Sequence, residues 1–284
     1  MKETKIGSIA FTDEQVANND PYIIGVFAEE NCGKTRLPLS GPEVIAYVPL
    51  EMKSYATIDK DNKEFGKRVY RPTKPEDLFV PKRKVDMMKD DIERQRFYAG
   101  HVQKVKDVVY SMLERDEVRV VCVDKFTTFC VWTEYAINGM QPKYVKIDGN
   151  VRQSKAEVRQ SLIDFVNSLS AYGKTVVLNC ATKGDYDVVD AQGNALRNTW
   201  DAGCFYMLGS HANLVVELAD NKWHDPKKSG SKYDWKYQLN VRRCQRNPGL
   251  EGPDGNPLLK DEEITIPNLI QYVEGEDFDV EKWL

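Results

Sequence analysis

The chain contains several short apolar runs separated by longer polar stretches. Each run is rich in β-branched residues and is bounded by polar or turn-forming residues, which is typical of a buried strand. The clearest runs occupy residues 23–28, 44–51, 118–124 and 175–180. Two later runs, at residues 213–218 and 235–241, alternate apolar and polar positions and are candidate antiparallel strands at the end of the sheet.

Amphipathic helices are predicted before the third and fourth of these strands. Residues 82–115 carry apolar side chains at steps of mostly three or four positions, which predicts one helix or two. The same spacing recurs from Val158 to Leu169, and Gly173 ends that segment before the next strand. A helix followed by a buried strand is typical of a parallel crossover unit. The predicted fold class is therefore α/β, with a mainly parallel central sheet flanked by helices.

The remaining segments suggest how the chain is organised. Residues 57–84 are charged, contain three prolines and show no sustained period, so a surface loop or insertion is predicted there. We assign residues 1–250 to the core and residues 251–284 to a C-terminal extension with an acidic tail. That tail either docks a partner, competes for a basic surface, or packs its apolar residues Phe278, Val280 and Trp283 on the core.

Composition narrows the classes of protein to consider. The formal net charge is -4, so any binding to nucleic acid must come from local basic patches. The 6 cysteines and 3 histidines have no zinc-ligand or triad spacing, which fits a reduced compartment. No run approaches the roughly 18 apolar residues that a membrane helix needs, and the first residues form no apolar signal region. We therefore expect a cytoplasmic protein without membrane association.

The most informative motif follows the first strand. There the chain leaves Ala28 for a loop that ends in Gly33-Lys34-Thr35, which is typical of a phosphate-binding loop. The backbone N–H groups of such a loop face nucleotide phosphates, Lys34 would reach the β and γ phosphates of ATP, and Thr35 would ligate Mg²⁺. The candidate nucleotide-binding residues are Glu29, Glu30, Asn31, Cys32, Gly33, Lys34, Thr35 and Arg36.

Two residues depart from the usual pattern G-x-x-x-x-G-K-[ST]. Ala28 occupies the first glycine position, where a side chain tolerates positive φ poorly and its methyl group would crowd a tight turn. Pro38 falls in the first turns of the helix expected after the loop and is predicted to shorten or kink it. Both departures bear on the rate of turnover more than on the fold.

Two carboxylates at strand ends could complete such a site. Asp124 ends the third strand and is the candidate second ligand of Mg²⁺. Glu51 follows the second strand and is the candidate catalytic base, which would orient or deprotonate the attacking water. The alternatives are a solvated loop carboxylate or helix cap for Asp124, and a surface carboxylate for Glu51.

The order of these elements resembles the core of RecA-type ATPases. More closely, residues 20–250 resemble the phage-encoded RecA-like nucleotide-binding proteins, a family that includes single-strand annealing ATPases of phage recombination. The matching pieces are Gly33-Lys34-Thr35, the strand that ends in Asp124, Tyr172-Gly173-Lys174 before a strand, the late strand followed by Ala219-Asp220, and Val241-Arg242-Arg243. The resemblance implies a RecA-like P-loop NTPase core that binds ATP and Mg²⁺. It also implies ATP-dependent handling of single-stranded DNA in phage recombination or replication.

The same resemblance implies an assembly of several copies of the chain. RecA-type cores complete their sites between neighbouring subunits, in a ring or filament, with a basic residue of the next protomer touching the γ-phosphate. Arg242 and Arg243 are candidates for that catalytic role, with Arg246 beside them, and a solvated basic patch is the alternative. Thr182 and Lys183 fall where such cores carry a phosphate-sensing residue. A phage or host replication protein is a further possible partner.

Two irregular segments, after the strands that end at Asp124 and Asn179, are candidates for binding single-stranded DNA. Both mix basic residues with aromatic rings, so cations could follow the phosphates while rings stack on bases. The basic candidates are Lys143, Lys146, Arg152, Lys155, Arg159 and Arg197. RecA-like proteins place their DNA loops in corresponding positions, although a solvated loop would have a similar composition.

Three other functions stay open at this point. The first is a helicase-loading or packaging-type motor ATPase. The second is a nucleotide-binding assembly protein with little turnover, which Ala28 and Pro38 would explain. The third is a P-loop small-molecule kinase, in which residues 57–84 would form a lid. DNA should stimulate ATP loss in a strand-handling or motor protein, whereas a nucleoside should stimulate it in a kinase.

Overall fold

The computed structural model describes residues 3–6, 9–12, 21–28, 32–139, 144–147, 150–153, 155–184, 198–200, 208, 210–220, 236–250, 258–275 and 278–280. The strands are β1 (Glu3–Ile6), β2 (Ile9–Thr12), β3 (Ile23–Ala28), β4 (Val44–Pro49), β5 (Arg68–Tyr70), β6 (Val120–Asp124), β7 (Tyr144–Ile147), β8 (Asn150–Gln153), β9 (Thr175–Gly184), β10 (Asn198–Trp200), β11 (Leu214–Asp220), β12 (Tyr237–Cys244) and β13 (Leu259–Lys260). The helices are α1 (Arg36–Leu39), α2 (Met52–Phe65), α3 (Lys82–Met87), α4 (Asp91–Leu113), α5 (Phe126–Asn138), α6 (Ala156–Leu169) and α7 (Ile266–Glu274).

A mostly parallel sheet organises the part of the chain that the structure describes. Its strands follow the order β13-β12-β11-β3-β9-β6-β4-β5, and β10 pairs with β9. From β11 to β5 every neighbouring pair is parallel, whereas β12 and β13 run antiparallel at one edge. The predicted α/β class with late antiparallel strands is therefore confirmed. Of the two late strands, β11 extends the parallel part and β12 is the one that reverses.

Alternating side chains of the central strands feed two hydrophobic cores. In β3, Ile23 and Phe27 enter the core built with α4, α5 and α6. Ile24 and Val26 enter the opposite core, which receives Leu37 of α1 and the buried face of α7. Because both faces of the sheet are covered, its central strands are apolar at successive positions, as expected for a parallel sheet.

Residues 57–84 differ from the surface loop that the sequence predicted. They include most of α2, all of β5, a 3₁₀ turn at Pro75–Asp77 and the start of α3. α2 was not predicted because Ile58 is its single fully buried side chain. The rest of the helix is mostly polar or charged, so apolar residues do not recur at helical spacing. The segment also contributes Ile58 and Leu78 to the two cores. The helices predicted within residues 82–115 are confirmed as α3 and α4.

The C-terminal segment packs onto the same framework as the sheet. β13 pairs with β12, and α7 buries Ile266, Leu269, Ile270 and Val273 in the core that contains Ile24. Phe278 packs against that core, while Trp283 lies outside the described residues. None of the described helices has the length and apolar character that crossing a membrane requires.

Candidate functional site

The loop after β3 adopts a conformation that explains its glycine. Gly33 has φ +87, in the left-handed region, and a Cβ added there would meet nothing within 4 Å. A side chain at Gly33 is therefore disfavoured by backbone strain alone. Cys32 and Thr35 are buried on either side of it, and Thr35 leads into α1. Glu29, Glu30 and Asn31, also predicted to bind nucleotide, lie outside the described residues.

Ala28 does not occupy the strained position that its place in the motif suggested. It is the last residue of β3, pairs with Leu218 and Ala181 in the neighbouring strands, and is 1% exposed. Among the described residues, Asp261 is the non-glycine residue with positive φ. The Ala28 methyl group thus packs in a core, and its backbone is that of an ordinary strand residue.

The helix after the loop is short, as the position of Pro38 predicted. α1 spans only Arg36–Leu39 and continues into a turn in which the Gly41 N–H donates to the Pro38 carbonyl. The Leu37 N–H donates to the Gly33 carbonyl, so the missing N–H of Pro38 leaves the Lys34 carbonyl without a helical donor, and Asn179 Nδ2 donates to that carbonyl instead at 3.1 Å. The proline is therefore compatible with the loop geometry.

Lys34 spans the loop in this structure. Its Nζ donates to the Ala28 carbonyl oxygen at 2.7 Å. Burial lowers the pKa of Lys34, and the nearby Asp124 carboxylate acts in the opposite direction. The ammonium group is thus held at the mouth of the loop, where anionic oxygens could replace the carbonyl as its acceptor.

A fully buried tyrosine joins the two candidate magnesium ligands. The Tyr47 hydroxyl donates to Asp124 Oδ2 at 2.7 Å and shares a hydrogen bond with the Thr35 side chain. Burial raises the pKa of Asp124, while hydrogen bonds from Tyr47 and Ser54 favour its charged form. Tyr47 could not be identified from its sequence pattern, because an aromatic residue in an apolar run predicts only core packing.

Thr35 and Asp124 offer a hydroxyl and a carboxylate oxygen, which are the hard ligands that Mg²⁺ prefers. The described residues contain no group of three His, Cys, Asp or Glu side chains able to hold a metal ion. A site with two protein ligands fits Mg²⁺ that arrives with phosphate groups, since this ion is usually held by one or two side chains together with substrate phosphates.

Glu51 lies near Asp124 because of the sheet register. Pro49 of β4 pairs with Asp124 of β6, and Glu51 follows two residues later. Glu51 Oε1 accepts a hydrogen bond from Thr128 Oγ1 at 3.2 Å and lies 3.4 Å from Lys125 Nζ. Sequence reasoning identified Glu51 but missed both partners, which follow Asp124 at the start of α5.

Asn179 supports the phosphate loop from β9. Its Nδ2 donates to the Lys34 backbone carbonyl at 3.1 Å, and its side chain is fully buried. Its Oδ1 has no hydrogen-bond partner, which is costly for a buried amide. A polar residue within a buried strand was the available signal for this contact. Thr182 lies farther along β9, opposite Trp200 of β10, and the phosphate-sensing roles of Thr182 and Lys183 remain predictions.

Several of the residues predicted to form the nucleotide site line one cavity of about 850 Å³, a size that suits a small-molecule ligand. Lys34, Thr35, Glu51 and Asp124 all line it, together with Lys125. Further walls come from α2 and from the C-terminal segment, which sequence reasoning did not include. The residues that complete the lining are Cys32, Gly33, Arg36, Leu37, Lys53, Ser54, Thr57, Lys60, Asp61, Glu64, Lys236, Tyr237, Asp261, Glu262 and Ile264.

Two sets of hydrogen bonds connect residues that line this cavity. Arg36 makes two hydrogen bonds to Glu64 of α2, at 2.6 and 2.7 Å. The Asp261 carboxylate accepts from the backbone N–H groups of Lys236 and Tyr237, at 2.9 and 2.7 Å. These contacts connect the phosphate loop to α2 and the start of β12 to the C-terminal segment.

The arginines predicted to act on a neighbouring subunit lie away from this cavity. Arg243 pairs with Val215, and Val215 pairs with Gly25, so Arg243 lies toward the amino-terminal edge of β3. Arg242 forms an ion pair with Glu217. Arg246 contacts Glu274 and Tyr22. Their role between subunits remains a prediction.

The predicted DNA-binding residues are only partly described. Lys143 and Arg197 lie outside the described residues, while Lys146 and Arg152 lie in the antiparallel hairpin of β7 and β8. Lys155 Nζ pairs with Glu134 of α5 at 3.2 Å, and Arg159 lies in α6. The first segment therefore contains a hairpin between α5 and α6, and its role in binding DNA remains a prediction.

No family model matches the sequence, and no curated protein matches it. Among solved structures, a KaiC-like protein from the hyperthermophilic archaeon Pyrococcus horikoshii OT3 is similar to this chain. The similarity covers 80% of each chain at 10% sequence identity, with a TM-score of 0.33. A likeness this distant does not bear on activity, so the function must be inferred from the chain's own residues.

Proposed function

We propose that this chain is a RecA-like P-loop ATPase that binds ATP with Mg²⁺. The observation that carries the proposal is the convergence of Lys34, Thr35, Asp124 and Glu51 on one cavity. Each supplies a group that nucleotide hydrolysis needs: an ammonium, a hydroxyl, a metal-binding carboxylate and a candidate base. Tyr47 and Asn179 hold this arrangement from within the sheet.

The proposed roles follow from the groups that each residue presents. Lys34 would exchange the Ala28 carbonyl for phosphate oxygens and offset their charge. Thr35 and Asp124 would hold Mg²⁺, which when bound neutralises charge on the phosphates. Glu51 would accept a proton from water as the water oxygen bonds to the γ-phosphorus and the bond from that phosphorus to ADP breaks. Because its two described partners contact Oε1, Oε2 is the oxygen that would accept the proton.

We further propose that the chain assembles into a ring or filament and acts on single-stranded DNA. This activity would serve phage recombination or replication. Its support is the sequence resemblance and the basic, aromatic composition of the two segments after β6 and β9. The candidates for contact with the DNA backbone that lie within the described residues are Lys146, Arg152, Lys155 and Arg159.

A second candidate function is an assembly protein that binds ATP with little turnover. The contacts of Thr128 and Lys125 with Glu51 Oε1 favour it, because they occupy one of the two carboxylate oxygens that could receive a proton from water. The two candidates differ in turnover and share the nucleotide site.

Calorimetric titration with ATP and Mg²⁺ tests the shared site. Lys34→Ala should weaken binding by at least about tenfold, because a hydrogen bond to a charged group contributes about 1.5–3 kcal/mol. Lys104→Ala, which removes an exposed lysine of α4, is the matched control and should bind as the wild type does. Equal affinity of Lys34→Ala and wild type would contradict the proposed site.

Measuring ATP hydrolysis with and without a single-stranded oligonucleotide tests the proposed action on single-stranded DNA. Stimulation that Lys34→Ala abolishes is the expected result. Binding of ATP without turnover in either condition would favour the assembly protein, and stimulation by a nucleoside alone would favour a kinase.

A further inference from the structure

The first turn of α5 contacts both the residue Glu51 after β4 and the strand β9. It follows Asp124 directly, and the Thr128 N–H donates to the Lys125 carbonyl at 2.9 Å, which closes the turn. On one side it contacts Glu51 after β4. On the other side, the Ala181 N–H of β9 donates to Thr127 Oγ1 at 2.9 Å. The adjacent residues Thr127 and Thr128 thus make hydrogen bonds on opposite sides of the turn. Thr128 bonds to Glu51 after β4, and Thr127 bonds to Ala181 of β9.

The contacts to Glu51 converge on one of its two oxygens. Thr128 Oγ1 donates to Oε1 at 3.2 Å, and Lys125 Nζ lies 3.4 Å from the same atom. Both side chains of the Glu51–Lys125 pair are partly exposed, at 38% and 30%, so water weakens the attraction and the geometry matters more than the charge. A carboxylate with one oxygen anchored cannot rotate freely, and its other oxygen keeps a defined direction.

We propose that Lys125 and Thr128 are positioning residues that hold Glu51 in the orientation needed to activate water. The inference rests on the proposed function, in which Glu51 is the base. Small displacements of a reacting group lower rates strongly, because the reaction needs near-attack geometry. The anchors act through Glu51, so they should affect the chemical step and leave nucleotide binding unchanged.

Steady-state hydrolysis and ATP affinity, measured on the same variants, test this role. Thr128→Val preserves the shape of the side chain and removes its hydroxyl, so kcat should fall about tenfold or more while the Kd for ATP stays unchanged. Thr128→Ser should restore most of kcat. Lys125→Met should also lower kcat at constant Kd. Thr133→Val, on the buried side of the same helix, is the matched control, because the Thr133 hydroxyl bonds only to the Phe129 carbonyl within α5 among the contacts described.

A double-variant cycle separates positioning from a general structural effect. If Thr128 acts through Glu51, Thr128→Val should cause no further loss in a Glu51→Gln background. Full additivity, an unchanged kcat in Thr128→Val, or a weaker ATP affinity in Lys125→Met would each overturn the inference. The last outcome would mean that Lys125 contacts phosphate itself.

Failure of the proposed function has a different signature. In that case wild-type ATP binding does not depend on Lys34, or turnover does not depend on Glu51, and the inference falls with it. Lys34-dependent binding and Glu51-dependent turnover, combined with a wild-type kcat in Thr128→Val, would overturn the positioning role alone.

Discussion

Tyr47 connects the two candidate magnesium ligands from within the sheet. Its hydroxyl contacts both Thr35 and Asp124, and it has no exposed surface. A hydroxyl that connects two candidate metal ligands sets the distance between them before any ligand binds. The strand β4 therefore contributes a buried support, Tyr47, as well as the candidate base that follows it, Glu51.

Replacing Ala28 with glycine would restore the usual loop pattern. We expect that it would increase neither the stability of the protein nor its rate of ATP turnover. Ala28 is a buried strand residue without positive φ, so glycine would lose a packed methyl group and gain freedom in the unfolded chain. We expect Ala28→Gly to lower the free energy of unfolding by about 1 kcal/mol in urea denaturation. ATP turnover should stay at or below the wild-type rate. A severalfold increase in turnover would show that the methyl group obstructs the loop.

Asp124 should make stability depend on pH in the acid range. Because burial raises its pKa, the native state keeps the proton at pH values where the unfolded chain, with a pKa of about 3.9, has lost it. The stability of the wild type should therefore decrease as pH rises from that value through the raised pKa. Asp124→Asn removes this dependence, so its melting temperature relative to the wild type should increase over the same range, without Mg²⁺ and nucleotide.

Melting temperatures measured across acid and neutral pH give the test, with Asp107→Asn, an exposed carboxylate of α4, as the control. The same Asp124→Asn protein should lose Mg²⁺-dependent stabilisation by ATP. Parallel pH curves for wild type and Asp124→Asn would contradict the account of this carboxyl group.

At the scale of elements, the Ser40 side chain connects helix α1 to the start of helix α7. The Ser40 hydroxyl donates to the Leu37 carbonyl and accepts from the Ile266 N–H at 2.9 Å, which satisfies a free donor at the start of α7. Ile266 is fully buried, so water cannot replace this contact. The short helix after the phosphate loop is thus tied to a helix far along the chain.

Ser40→Ala should lower the free energy of unfolding by about 1–3 kcal/mol, because it leaves the buried Ile266 N–H without a partner. Urea denaturation measures this loss. Ser111→Ala is the control, since the exposed Ser111 hydroxyl bonds only to the Val108 carbonyl in its own helix among the contacts described, and its loss should change stability by less than about 0.5 kcal/mol. Equal effects of the two changes would mean that Ser40 does not secure α7.

The sequence predicted the elements that have strong local patterns. The parallel strands are dense in β-branched residues, the loop has its Gly33-Lys34-Thr35 signature, and Asp124 stands at a strand end. α2 was missed because its polar surface hides the period around Ile58. Thr128 and Asp261 were missed for another reason: their contacts join residues distant in the chain, and no spacing encodes them.

At the scale of the whole molecule, the cavity depends on parts of the chain that lie far apart in sequence. Its walls combine the loop after β3, the ends of β4 and β6, helix α2 and the C-terminal segment around Asp261. The strand order places β9 between β3 and β6, so Asn179 lies between the loop and the carboxylate strand. Because all these parts line the cavity, a ligand that binds there would stabilise most of the fold against unfolding.

The most direct measurement compares wild type and Glu51→Gln for both ATP affinity and ATP hydrolysis in the presence of Mg²⁺. Glutamine keeps the size of the side chain and cannot act as the base, so we predict unchanged affinity and a loss of turnover of about a hundredfold or more. Equal turnover in the two proteins would contradict the assignment of this cavity as the site of ATP hydrolysis. Equal ATP affinity of the wild type and Lys34→Ala would contradict it as well.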